Sequence, residues 1–176
     1  MNRLLDPKKA AQIKSQANEL LKSYLHIQDP LERLLKIASD NSIKVLQSDL
    51  FEISGALRKE KDGWVIYVNR GDSSQRNVFT IAHELGHFFV HKQDCEEFID
   101  GQFVSRNEQE KYALKELEAN EFAGNLIMPE AQVRHLVTGV ITADMVHLMA
   151  KNFGVSSIAM ETRLRNLGYD PPVRQQ

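Results

Sequence analysis

The chain offers almost no sulfur chemistry: Cys95 is its one cysteine, so an internal disulfide is excluded and no thiolate cluster can hold a metal. Any metal must be bound by nitrogen and oxygen. Apolar runs long enough to span a membrane are missing, and no N-terminal stretch reads as a secretory signal, so the expected address is the cytoplasm with no membrane partner. Charge excess is missing too. A formal net charge of -2 lacks the basic surplus that non-specific nucleic-acid binding needs, and direct nucleic-acid binding is not expected. There are no repeats or low-complexity tracts. What remains is 176 residues of ordinary globular composition, enough for one well-packed domain with a small appended subdomain.

Two amphipathic helices are expected first, from Pro7 to Leu25 and from Pro30 to Ala38, capped by Asp6 and Asp29 and each opened by proline. They carry no assignable chemistry. The period then changes to two: Ile43 to Gln47, Ile53 to Arg58 and Trp64 to Asn69 read as strands, the last two joined by a hairpin turn at Glu60-Lys61-Asp62-Gly63. This hairpin could offer a strand edge to an extended peptide. Gly55 marks either a bulge, a close approach of another backbone, or mere relief of crowding. Ser73 or Ser74 caps the next helix. Periodicity fades from Lys92 to Glu108, where Asp94, Glu96, Glu97 and Asp100 make an acidic connection of the length often used for binding. A long helix from Glu108 to Met128 follows, then shorter ones over Val133 to Leu136, Asp144 to Phe153 and Ser157 to Leu167.

The chemistry centres on His83-Glu84-Leu85-Gly86-His87. On a helix, residues four apart share a face, so both imidazoles can address one ion at about 2.0–2.1 Å. Glu84, beside the first ligand, can reach a water next to the metal and act as its base. Surface histidines on an ordinary helix are the bland alternative, and the decision rests on a third ligand. His91 lies eight residues past His83, about 12 Å along the axis, too far to share the ion. The third-histidine spacing of metzincins is absent, since Val90 and Gln93 occupy the positions it requires. A carboxylate from the later helix is the better candidate, as in gluzincin-like sites. Glu116, Glu118 and Glu121 are the choices, with Glu118 preferred because Ala119, Phe122 and Ala123 surround it with packing surface.

The run Arg76 to His87, with Glu118-Ala119-Asn120-Glu121-Phe122-Ala123, Leu126-Ile127-Met128-Pro129 and Phe153-Gly154-Val155-Ser156, resembles the ImmA/IrrE family of metallopeptidases from about Ser54 to Leu167. The resemblance implies an α+β fold: a zincin-like domain over 1–130 with N-terminal helices, a small, mostly antiparallel three-stranded sheet and the active-site helix, then a C-terminal helical, helix-turn-helix-like subdomain over 131–170 and a frayed tail at 171–176. It implies one catalytic Zn2+ held by His83, His87 and Glu118, with Glu84 as general base of an endopeptidase. Its substrate would be a helix-turn-helix repressor encoded nearby, whose cleavage releases mobile-element or stress genes. Asn120 is a candidate to orient a ligand, and Tyr112, Arg106, His91 and His135 are candidate donors to the oxyanion. Met145 to Leu167 also has the outline of a DNA-binding helix pair. An apolar stripe of Met160, Leu164 and Leu167, with only Arg163 and Arg165 as basic residues, favours a structural or docking role. The alternative to the enzyme is a non-catalytic zinc-containing module that sequesters a regulatory partner.

Overall fold

The computed structural model describes residues 5–93, 97–99 and 106–172. Helices α1 (Pro7–Lys22) and α2 (Pro30–Asp40) open it. Each begins where the aspartate-proline pairs dictate. Asp6 Oδ1 accepts from the backbone N–H groups of Lys8 and Lys9 at 3.0 Å, and Asp29 Oδ1 accepts from that of Glu32 at 2.8 Å, satisfying donors that a helix start leaves orphaned. α1 ends at Lys22, short of the expected Leu25.

The three expected strands form as β1 (Ile43–Ser48), β2 (Gly55–Glu60) and β3 (Gly63–Asn69). Glu60 pairs with Gly63 across the Lys61-Asp62 turn, and Gly63 takes φ +125°, a conformation strained for residues with a side chain. β3 lies between an antiparallel β2 and a parallel β1. A short β4 (Glu97–Ile99), from the stretch expected to be loop, extends the sheet in the order β1-β3-β2-β4. It pairs with Ala56, Leu57 and Arg58, so the outer edge of β2 is covered where the sequence left it open to a peptide. The rest of that connection, including Cys95, Asp94, Glu96 and Asp100, lies outside the described residues.

Five more helices complete the described chain: α3 (Ser74–His91), α4 (Arg106–Ile127), α5 (Glu130–Leu136), α6 (Ala143–Asn152) and α7 (Ser157–Asn166). Ser73 is the residue that caps α3, its Oγ accepting from the N–H of Arg76 at 3.3 Å. α3 lies against β2 and β3, α4 packs on α3, and α1 packs on α4. One hydrophobic cluster runs from Ile13 of α1 through Leu57, Ile66 and Phe88 to Leu164 of α7, so the C-terminal helices share the core of the sheet and of α3 and α4. Trp64 of β3 meets Phe88 edge-on with ring centroids 5.7 Å apart, which gives it a packing role. Among the described residues no helix is long and apolar enough to cross a membrane.

Two glycines set how closely the layers approach. A Cβ on Gly55 would fall 2.3 Å from Thr80 Cγ2 and 3.0 Å from Glu84 Oε1, so β2 can run against α3 at this point only without a side chain. The alternatives left open by the sequence resolve into a close approach, made by side chains of the helix. A Cβ on Gly86 would fall 2.9 Å from the carbonyl oxygen of Ala119 and 3.0 Å from its Cα. α3 and α4 are therefore in near backbone contact there, and that contact positions the site.

Candidate metal centre

His83, Glu84 and His87 are all inside, at 7%, 1% and 1% exposure. Helical spacing brings His83 Nε2 and His87 Nε2 to 3.0 Å from each other. The third corner comes from α4. Glu116 Oε2 lies 3.1 Å from His83 Nε2 and Glu116 Oε1 lies 3.0 Å from His87 Nε2. Single ligand atoms from these three residues fall within 4.8 Å of one another, the one such metal-competent group found among the described residues.

The structure thus brings Glu116, and not Glu118, to the two histidines. Helix phase is the reason. With Ala119 pressed against Gly86, the residue one turn earlier on the same stripe is Glu116, while Glu118 is rotated from Glu116 by about 200° around the axis. Glu118 Oε2 instead meets His91 Nε2 at 2.8 Å and Lys9 Nζ at 3.6 Å. Glu121 turns elsewhere, accepting from Asn125 Nδ2 at 2.7 Å.

The donor set suits a divalent cation. Asn120 Oδ1 lies 3.1 Å from His83 Nδ1, and because an amide oxygen only accepts, His83 carries its proton on Nδ1 and turns a bare Nε2 inward. Burial holds His87 below the ordinary imidazole range, hence neutral. Lone pairs of two nitrogens and an ionised carboxylate converge, and a cation relieves their mutual repulsion. The Glu116 side chain keeps 23% exposure, so the group is open on that side.

The remaining candidates separate. His91 is buried, with Nδ1 3.2 Å from His87 Nδ1 and Nε2 on Glu118, so its ring lies behind His87 and not at the open side where an oxyanion donor belongs. His135 is on α5, exposed, beside a separate pocket lined by Ala131, Gln132, Leu136, Asn152 and Phe153. Tyr112 is half-buried on α4, one turn before Glu116 and on the same stripe. The side chain of Arg106 lies outside the described residues. Lys9 was missed by the sequence reading, which gave α1 no chemistry, and no local pattern marks it.

Residues 38–165 match the model of the IrrE N-terminal-like domain, a peptidase family. The chain is 27% identical over 136 residues to Metallopeptidase ImmA of Bacillus subtilis (strain 168), spanning 76% of this chain and 75% of that one. It is 29% identical over 138 residues to Uncharacterized immunity region protein 2 of Bacillus phage phi105, spanning 78% and 81%. Among solved structures, a Mycobacterium tuberculosis transcriptional regulator shares the fold with a TM-score of 0.60 at 19% identity, over 87% of this chain and 46% of that one. This chain therefore spans less than half of that regulator.

Proposed function

The chain belongs to the ImmA/IrrE family of metallopeptidases, and from that premise we propose that it is a zinc endopeptidase cutting a specific helix-turn-helix repressor. The observation that carries the reading is the convergence of His83, His87 and Glu116 within 4.8 Å beside the buried carboxylate of Glu84. A phage relative named as an immunity region protein supports a substrate among the regulators of mobile elements. The mixed nitrogen and oxygen donor set, with one open side, is the kind that catalytic zinc takes.

His83, His87 and Glu116 would hold the ion, which when bound supplies a Lewis acid that polarises the scissile carbonyl and acidifies water. Glu84 takes the proton from the attacking water and delivers it to the departing amine. Gly55, having no side chain, leaves room for that carboxylate, and burial keeps bulk water from competing for the proton. Asn120 orients His83 from behind.

Arg163, one of the two basic residues of α7, is not free to read DNA. Arg163 is buried, donating from Nε to the Met128 carbonyl at 3.0 Å and from Nη2 to Asn125 Oδ1 at 2.8 Å. Met160 and Leu164 are wholly inside.

The test is intact-mass analysis of the neighbouring encoded helix-turn-helix protein after incubation with this chain, with zinc, with chelator and with Glu84→Gln. Zinc-dependent fragments that vanish with Glu84→Gln are expected and locate the bond. A stable complex that yields no fragments and is indifferent to Glu84→Gln would replace the enzyme by the sequestering module.

A further inference from the structure

We propose that Glu118 and His91 are positioning residues: a buried hydrogen-bond chain, Glu118 to His91 to His87, that fixes His87 with its Nε2 lone pair toward the metal. The inference rests on the reading of His83, His87 and Glu116 as the ligand set.

The chain of contacts is short and inside. Glu118 Oε2 lies 2.8 Å from His91 Nε2, and His91 Nδ1 lies 3.2 Å from His87 Nδ1. His87, His91 and Glu118 are 1%, 3% and 8% exposed, which leaves bulk water little access to exchange these bonds. A carboxylate accepts and does not donate, so His91 places its proton on Nε2 and donates to Glu118. In the neutral form of the ring that leaves His91 Nδ1 bare, able only to accept. The proton between the two imidazoles therefore belongs to His87 Nδ1, and the opposite nitrogen, Nε2, faces Glu116 and His83 without one.

The device does for one ligand what Asn120 does for the other. His83 is set in a single step by a neutral amide oxygen, whereas His87 is set in two steps by a carboxylate with the Lys9 ammonium 3.6 Å from the same oxygen. Position explains the difference. His87 is deeper, and the side chain four residues further along its own helix is another imidazole, which cannot dictate a tautomer unless something else dictates its own. Glu118, two residues past Glu116 on α4, reaches that second imidazole. One helix turn thereby supplies a ligand to the metal, and the next residues supply the outer partner of a different ligand.

The experiment uses the full chain in wild-type form and as Glu118→Met, Glu118→Gln, His91→Phe and the double variant Glu118→Met with His91→Phe. Zinc affinity is read by competition with a chromophoric chelator, and imidazole tautomers by long-range proton–nitrogen correlation of the zinc-loaded wild type. Expected are His91 protonated on Nε2 with a bare Nδ1, and zinc binding weakened about tenfold to a hundredfold by Glu118→Met or His91→Phe. Glu118→Gln, whose amide oxygen can still accept, recovers most of the loss. The double variant binds zinc no worse than the weaker single variant, because a chain already cut cannot be cut again. If His91→Phe folds poorly, the Glu118 pair carries the test by itself. Zinc held as tightly by Glu118→Met as by wild type, or His91 protonated on Nδ1 in the zinc-loaded protein, overturns the proposal while leaving the metal site intact. Wild type that holds no zinc overturns the underlying site as well.

Discussion

Two helix pairs meet on α4, and they treat buried polarity in opposite ways. Where α3 crosses α4, the interior holds His83, Glu84, His87, His91 and Glu118 within a few turns, polar groups that cost desolvation and are kept for chemistry. Where α7 meets the end of α4, Arg163 is the buried cation, and its hydrogen bonds go to Met128 and Asn125 at the carbonyl-rich terminus of that helix. Burial works against its charge, and the nearby charges of Glu121 and Glu130 favour it. The first pair spends stability to assemble a reactive group. The second uses one cation to satisfy a helix end and moor the C-terminal helices.

If that contrast holds, Glu84→Gln and Arg163→Met fail in different assays. Glu84→Gln is expected to lower turnover by about a hundredfold to ten-thousandfold with zinc content and folding unchanged, as read by kinetics beside metal analysis. Arg163→Met leaves two buried acceptors without their donor and is expected to cost about 2–4 kcal/mol in urea unfolding. Its turnover per folded, zinc-loaded molecule should stay at the wild-type level. A large loss of specific activity in Arg163→Met would mean that the two regions are coupled.

The glycines sharpen the contrast. Gly86→Ala puts a methyl against the backbone of Ala119 at 2.9–3.0 Å, so the helices must part, at an expected cost of about 1–3 kcal/mol in thermal unfolding with weakened zinc binding. Gly124→Ala, on α4 beside the other contact, has Arg163 Nη1 at 3.7 Å as its nearest neighbour, an ordinary distance. It should stabilise by about 0.5–1 kcal/mol through helix propensity.

The smallest effect belongs to Glu130, which joins Lys14 of α1 to Arg134 of α5 and takes 2.6 Å from Arg134 Nε. Hydrogen bonds from Lys14 and Arg134 lower its carboxyl from 4.5 to about 2. Because the folded value is the lower one, the unfolded chain binds the proton first as pH falls. The contribution is whole above pH 4.5 and is lost on descending toward pH 2. Being near the surface it is worth less than about 1 kcal/mol and fades with salt. Unfolding measured across that window should be flatter in Glu130→Gln than in wild type, and identical curves would remove Glu130 from the mooring of α5.

Much of this is legible in the sequence. Asp6, Asp29 and Ser73 announce helix starts because a side-chain acceptor beside free N–H groups is a local matter. Asp62-Gly63 announces the hairpin for the same kind of reason, and the four-residue spacing of His83 and His87 puts two imidazoles on one face wherever the helix goes. β4 was not legible, since a three-residue strand owes its existence to the β2 edge it pairs with and not to its own pattern.

The sequence by itself determined the helix that carries His83, Glu84 and His87, the first three strands of the sheet beneath it and the family. Only the tertiary structure decided that Glu116 is the carboxylate brought to His83 and His87 while Glu118 meets His91, and that Lys9 of an apparently inert helix reaches Glu118. Acidic residues at 116, 118 and 121 ring α4, so its own pattern does not fix which of them faces α3. That choice follows from the angle at which Ala119 seats on Gly86, a relation between two helices that neither encodes alone.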